Sequence, residues 1–242
     1  MTVQFYRKLQ PVSVISFDLD DTLYDNVPIM QTAEQQVQQF IARQYPRARH
    51  WDIEHWQRRR FLVMQRNPEL SSDMTQLRLT TLREGFSEAG IADPGQAAEE
   101  VLEFFRFHRS NFIVEEPSLR LLQQLKSHYR LAAISNGNVE CDKIGLGDYF
   151  DVIVQPGAGL RGKPFGDMFE RVKDHFQIPG QHILHVGDHP YSDILGAHRA
   201  GCQSAWFRGG LGHTGQLRVL PTFCFSQLQQ LVAVLGKAEP SS

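Results

Sequence analysis

The chain has 242 residues, 41% of them hydrophobic, enough for a sizeable core in one domain or in a domain with an insert. Its 25 Lys and Arg stand against 27 Asp and Glu, a formal charge of −2, which excludes the basic excess that a nucleic-acid backbone attracts. The polar residues 1–10 lack the apolar core of a signal peptide and no apolar run is long enough to span a bilayer, so a cytoplasmic protein with neither nucleic-acid nor membrane partner is expected.

Residues 12–22 read Val-Ser-Val-Ile-Ser-Phe-Asp-Leu-Asp-Asp-Thr, a β-branched apolar run that ends in Asp18, Asp20 and Thr22. Such a run is a strand covered on both faces, typical of a parallel sheet, and ligands in these sheets bind beyond the carboxyl ends of the strands. Alternation along an extended chain points Asp18 and Asp20 to one side and turns Leu19 into the apolar body. Held together, the two carboxylates can share a divalent cation.

After Asp25 the pattern changes for about eighty residues to long polar segments with helical spacing. Helices are predicted over 30–44, 51–64, 76–89 and 97–107, forming an inserted bundle over 26–109. Phe104, Phe105 and Phe107 are expected to be bundle core, and Arg58, Arg59, Arg60 and Arg66 a solvated face, because consecutive arginines on a helix point in different directions.

From Pro117 short strands alternate with helices again. Strands are predicted at 130–135, 151–154, 182–186, 203–207 and near Phe223, with helices from Pro117 and over 165–176, 191–200 and 226–235. The fold class is therefore a doubly wound parallel α/β sheet built from residues 1–25 and 110–242, with a frayed tail over 236–242.

Each of these strands ends in chemistry. The second ends in Ser135-Asn136-Gly137-Asn138, donors suited to phosphoryl oxygens, although the same residues also make a plain turn. The stretch 157–164 contains a formal G-x-G-x-x-G, but Lys163-Pro164 follows at once and Pro164 more naturally starts a helix, so a dinucleotide site is discounted. That places Lys163 at a helix N-terminus, where a cation is disfavoured unless an anion such as a phosphoryl group sits beside it. The strand at 182–186 runs into Gly187-Asp188-His189-Pro190-Tyr191-Ser192-Asp193, bringing Asp188 level with Asp18 and Asp20. Three converging carboxylates need a cation, and oxygen-only ligation suits Mg²⁺. Zinc is disfavoured, because His182 and His185 lie three apart on a strand and face opposite sides. Cys141, Cys202 and Cys224 are scattered and read as core or surface thiols.

In that order of motifs, D-x-D-x-T, a strand-terminal Ser, a Lys and G-D-x-x-x-x-D, the chain resembles the haloacid dehalogenase superfamily of phosphohydrolases, and the insert resembles the cap that this superfamily places over its site. The resemblance implies Asp18 as nucleophile, Asp20 as general acid/base, Ser135 and Lys163 as phosphate ligands, and Asp188 with Asp193 as the acidic fourth motif. Thr22 and Asn136 are expected beside Ser135 and Lys163 at the phosphate, and Asp18, Asp20 and Asp188 around Mg²⁺ with Asp193 in support. His189 departs from the pattern, since a second Asp often follows the first there, which puts the fine geometry of the metal site in question. More narrowly, Phe-Asp-Leu-Asp-Asp-Thr-Leu-Tyr-Asp-Asn, Ser-Asn-Gly-Asn, Leu-Gly-Asp-Tyr-Phe, Lys-Pro-Phe-Gly-Asp-Met and His-Val-Gly-Asp resemble the bacterial YigB-type phosphatases. This implies a small phosphorylated metabolite as partner, FMN or the riboflavin precursor 5-amino-6-(5-phosphoribitylamino)uracil. Other phosphate esters, a phosphomutase, a dehalogenase and an inactive binding protein stay open.

Overall fold

A computed structural model describes residues 3–210 and 216–236. The predicted frayed tail lies, from residue 237 on, outside the described residues. Two compact units emerge, one comprising Met1–Asn26, Ile113–Gly137 and Gly145–Ser242, the other Val27–Phe112 and Asn138–Ile144. The sequence reading put 138–144 with the sheet; these residues cluster with the helices, so the chain enters the helical unit twice.

The first unit is built on strands β1 (Gln4–Phe5), β2 (Val14–Phe17), β3 (Arg130–Ile134), β4 (Val152–Val154), β5 (Ile183–Gly187), β6 (Gln203–Phe207) and β7 (Phe223–Phe225). They form one sheet in the order β1-β7-β6-β5-β2-β3-β4. All neighbours are parallel except β1 and β7, an antiparallel edge pair that the sequence did not predict. Two residues, one of them the half-exposed Phe5, carry too little pattern to be read as a strand. Along β2 and β3, Val14, Ala132 and Ile134 pack against Met168, Phe169 and Val172 of helix α6 (Asp167–Phe176) and Ala197 of α7 (Gly196–Arg199). Their neighbours Ile15, Phe17, Leu131 and Ala133 are equally buried, so both faces of the sheet are covered, as continuous apolar strands require. Helix α5 (Glu116–Lys126) packs on β3 and on α8 (Gln230–Leu235).

The second unit contains α1 (Asn26–Gln44, from its second residue), α2 (Ile53–Arg66), α3 (Met74–Glu88) and α4 (Pro94–Arg109). Helices α3 and α4 begin at Met74 and Pro94, earlier than the 76 and 97 that apolar spacing predicts, because Asp73 and Asp93 cap them by accepting from backbone N–H groups one turn ahead; Asp52 caps α2 in the same way, and that helix begins at Ile53 where 51 was predicted. Their interior is Ala33, Val37, Ile41, Leu82, Phe86, Val101 and Phe105 with Trp51 and Trp56. Of the expected aromatic core, Phe105 is buried and Phe104 packs at the edge, stacked on Phe40 at 4.2 Å between ring centroids, whereas Phe107 is exposed. The arginine face is not simply solvated: Arg59 pairs with Glu88, lies over Trp51 and is only 14% exposed, and Arg66 pairs with Glu84. No helix among the described residues is long and apolar enough to cross a membrane.

Candidate active site

Register fixes the site. Phe17 pairs with Ala133 on one side and Val186 on the other, so β2, β3 and β5 end level and release Asp18, Ser135 and Asp188 at the same edge of the sheet. The Asp18 amide still donates to Val186 O at 2.8 Å, which ties the side chain to the last rung of the ladder. The chain then turns tightly: Leu23 N donates to Leu19 O at 2.9 Å and Asp21 adopts a left-handed φ of 60°, its carboxylate accepting from Asn26 N. Leu19 is fully buried, as alternation predicted.

Asp18 and Lys163 form the centre. The buried Lys163 Nζ lies 2.6 Å from Asp18 Oδ1, 2.7 Å from Asp193 Oδ1 and 2.5 Å from Ile134 O, which occupies its three donors. Burial works against the Lys163 charge, but Asp18 and Asp193 together outweigh it and hold its pKa above the ordinary value. Burial raises the Asp18 carboxyl well above the usual range against the pull of Lys163, with Asp193 and Asp20 adding repulsion. Asp193 also suffers burial, yet Lys163 and His185 more than offset it and hold it below the usual carboxylate range. The anion expected beside Lys163 is therefore this carboxylate pair. Pro164 does not start the helix either; α6 begins at Asp167 after Gly166, which leaves Lys163 ahead of the helix terminus.

Asp193 has both oxygens engaged. Oδ1 meets Lys163 and, at 3.2 Å, His185 Nε2, while Oδ2 accepts from His189 N at 2.9 Å. His185 is fully buried on β5 and its other nitrogen sits 2.9 Å from Ser16 Oγ on β2. The segment Pro190–Leu195, expected to be α-helical, is a π-helical turn, and His189 Nδ1 caps it by accepting from Tyr191 N and Ser192 N. The residue that departs from the superfamily pattern thus shapes the turn carrying Asp193.

Among the described residues, carboxylate oxygens of Asp18, Asp188 and Asp193 lie within 4.8 Å of one another. Asp20, expected among the metal ligands, has its carboxylate elsewhere: Tyr24 Oη donates to Oδ1 at 2.6 Å, and Oδ2 lies over Gly137. Thr22 Oγ1 stands 3.4 Å from both Asp18 Oδ2 and Asp188 Oδ1, so its hydroxyl faces the two carboxylates where a phosphate contact was expected. Asn136 is likewise committed, since its Nδ2 donates to Lys163 O at 2.8 Å and its Oδ1 accepts from Lys163 N at 2.7 Å. It positions the lysine. Ser135 Oγ is buried and accepts from Gly137 N at 3.0 Å, with no acceptor for its own hydrogen among the described residues. Tyr24 and His185 were missed in the sequence. Tyr24 could have been found from its place four residues after Asp20 in a tight turn, and His185 from its parity with Ser16 across a parallel register.

The profile of the haloacid dehalogenase-like hydrolases matches residues 12–201. The 5-amino-6-(5-phospho-D-ribitylamino)uracil phosphatase YigB of Escherichia coli K12 is 35% identical over 238 residues, 96% of this chain and 100% of that protein. The pyrimidine 5'-nucleotidase YjjG of the same organism is 30% identical over 127 residues, half of this chain and 56% of its own length. Among solved structures, a 2-haloacid dehalogenase from Pseudomonas syringae pv. Tomato DC3000 superimposes with a TM-score of 0.84 at 28% identity, covering 93% of this chain and 99% of that one.

Proposed function

From a chain that belongs to the haloacid dehalogenase-like hydrolases and is a phosphoric monoester hydrolase, we propose a reaction through an aspartyl-phosphate on Asp18, with FMN or 5-amino-6-(5-phospho-D-ribitylamino)uracil as substrate. The observation that carries the chemistry is the buried Asp18–Lys163 pair at the ends of three parallel strands, with the Asp20 carboxyl beside it. A carboxylate oxygen of Asp18 attacks phosphorus in line, its electron pair forming the new P–O bond as the ester P–O bond breaks. Asp20 gives its proton to the departing oxygen. In the second half, water attacks the aspartyl-phosphate and gives its proton to Asp20, releasing orthophosphate and restoring both acids. The positive charge of Lys163 and the hydroxyl of Ser135 would stabilise the phosphoryl oxygens.

The residues fit Mg²⁺. Asp18 Oδ2 and Asp188 Oδ1 converge on Thr22, all the donors are oxygen, and Asp193 is already satisfied by Lys163, His185 and His189, so Asp18 and Asp188 are the side chains that would hold the ion. When bound, it would favour ionised Asp18 and neutralise phosphoryl charge.

The substrate assignment rests on the 35% identity to YigB across nearly the whole chain. A haloacid dehalogenase would use the same Asp nucleophile, but a halide departs without a proton and needs no metal, so Asp20 as leaving-group acid and Asp188 as metal ligand favour the phosphatase. A panel of FMN, the riboflavin precursor, nucleotides, sugar phosphates and 2-haloacids, assayed for orthophosphate or halide with Mg²⁺ and with EDTA, tests the proposal. Orthophosphate release, fastest from a flavin-related ester and lost in EDTA, is expected; halide release or EDTA-resistant turnover contradicts it.

A further inference from the structure

Resting on the assignment of Asp20 as the acid, we propose that Tyr24, acting opposite Gly137, is a positioning residue that fixes the Asp20 carboxyl for proton delivery. Tyr24 is only 9% exposed. The turn that follows β2 brings it back onto Asp20: Asp21 N donates to Tyr24 O at 2.9 Å, Asp20 and Tyr24 form a parallel bridge, and the Tyr24 hydroxyl donates to Asp20 Oδ1 at 2.6 Å. A tyrosine hydroxyl this close to a carboxyl oxygen is a strong, directional contact.

The other oxygen is located by a missing side chain. A Cβ on Gly137 would stand 2.6 Å from Asp20 Oδ2, closer than non-bonded carbon and oxygen can come, and 3.3 Å from Ser135 Oγ. Only glycine leaves that space to the carboxyl. The Gly137 amide meanwhile donates to Ser135 Oγ at 3.0 Å, so the glycine lies between the acid and the phosphate-binding hydroxyl.

The two contacts divide the labour of one carboxyl group. Oδ1 accepts from Tyr24, so in the acid form the proton belongs on Oδ2, on the side of Gly137 and Ser135. During ester cleavage that proton passes from Oδ2 to the leaving oxygen, which keeps the electron pair of the broken P–O bond. Asp20 is left as a carboxylate, and the Tyr24 hydroxyl remains bonded to Oδ1 to stabilise it. Tyr24 exchanges no proton itself.

A tyrosine that merely fills space would affect every substrate alike, whereas a brace on the acid matters only where the leaving group needs protonation. The test measures kcat/KM for two alkyl esters, FMN and glycerol 2-phosphate, and for p-nitrophenyl phosphate, whose leaving group departs without a proton. Wild type is compared with Tyr24→Phe, Gly137→Ala, Asp20→Asn and the Tyr24→Phe/Asp20→Asn double variant. Tyr24→Phe removes a single hydroxyl, and it is expected to lower the alkyl-ester values about tenfold with less than about threefold change for p-nitrophenyl phosphate. Gly137→Ala should show the same split, and the double variant should lose no more on alkyl esters than Asp20→Asn alone. Equal loss on all three substrates in Tyr24→Phe, or no loss, overturns the proposal. A split in Asp20→Asn without one in Tyr24→Phe removes the brace and leaves the acid in place; no split in Asp20→Asn removes the acid assignment itself.

Discussion

At the scale of residues, the site is a cluster of charges placed where water cannot stabilise them. Asp18 is held above the ordinary carboxylate range by burial, with Lys163 as its compensating partner. Asp18→Asn keeps the shape and the hydrogen-bonding capacity while removing a buried charge, so turnover should vanish while the melting temperature in EDTA does not fall. A lower melting temperature would mean that Asp18 is a structural ion-pair partner first. Lys163→Ala should act differently, because it leaves Asp18 and Asp193 buried and facing each other. Loss of about 3–5 kcal/mol in urea unfolding is expected, the usual cost of breaking a buried pair by removing one partner. Its residual kcat/KM should fall alike for FMN and p-nitrophenyl phosphate, since Lys163 serves the phosphoryl group that both share. The acids, the serine and the lysine were legible because strand ends in parallel sheets collect such residues. What each atom touches was not legible: Asn136 and Thr22 look like phosphate donors in the sequence, and only their distances to Lys163, Asp18 and Asp188 show them occupied.

Elements decide which acids meet. An α-helix from Tyr191 was the natural reading of the sequence after β5, but the wider π-helical turn over Pro190–Leu195 brings the Asp193 carboxylate back against His189 N and His185. Helical periodicity carries no signal for a single π turn, so the contacts of Asp193 with Lys163, His185 and His189 N are not legible in the sequence. The π turn also makes a pH prediction. Asp193 is depressed in the folded protein, so its contribution to stability is fully present above its unfolded value near ~3.9 and is lost as pH falls through the lower folded value. Wild type should therefore lose urea stability on acidification below about pH 4. Asp193→Asn should be less stable near neutrality and show a shallower decline over that acid range. A parallel decline in both proteins would show that Asp193 is not the linked group. Helix starts were misplaced for a related reason, since Asp93 and Pro94 form a capping signal that apolar spacing alone overlooks.

For the whole molecule, the doubly wound sheet was readable because each buried strand is a short continuous apolar run between turns, and the register of β2 with β3 and β5 follows from burying those runs together. The return of residues 138–144 to the helical unit was not readable, because Asn138 Nδ2 to Thr75 Oγ1 and Glu140 N to Ser110 Oγ are hydrogen bonds between polar residues far apart in sequence. Substrate identity is the least legible property, since the groups around Asp18 address the phosphoryl group that every phosphate monoester shares.

The central claim is that turnover passes through a phosphorylated Asp18, and trapping that species tests it most directly. Enzyme mixed with a ³²P-labelled phosphate monoester and Mg²⁺, quenched in acid within one turnover and digested, should carry label on the peptide containing Asp18, released by hydroxylamine as an acyl phosphate and absent from Asp18→Asn. Orthophosphate release at the wild-type rate with no label on that peptide, or label on a different residue, would contradict the account.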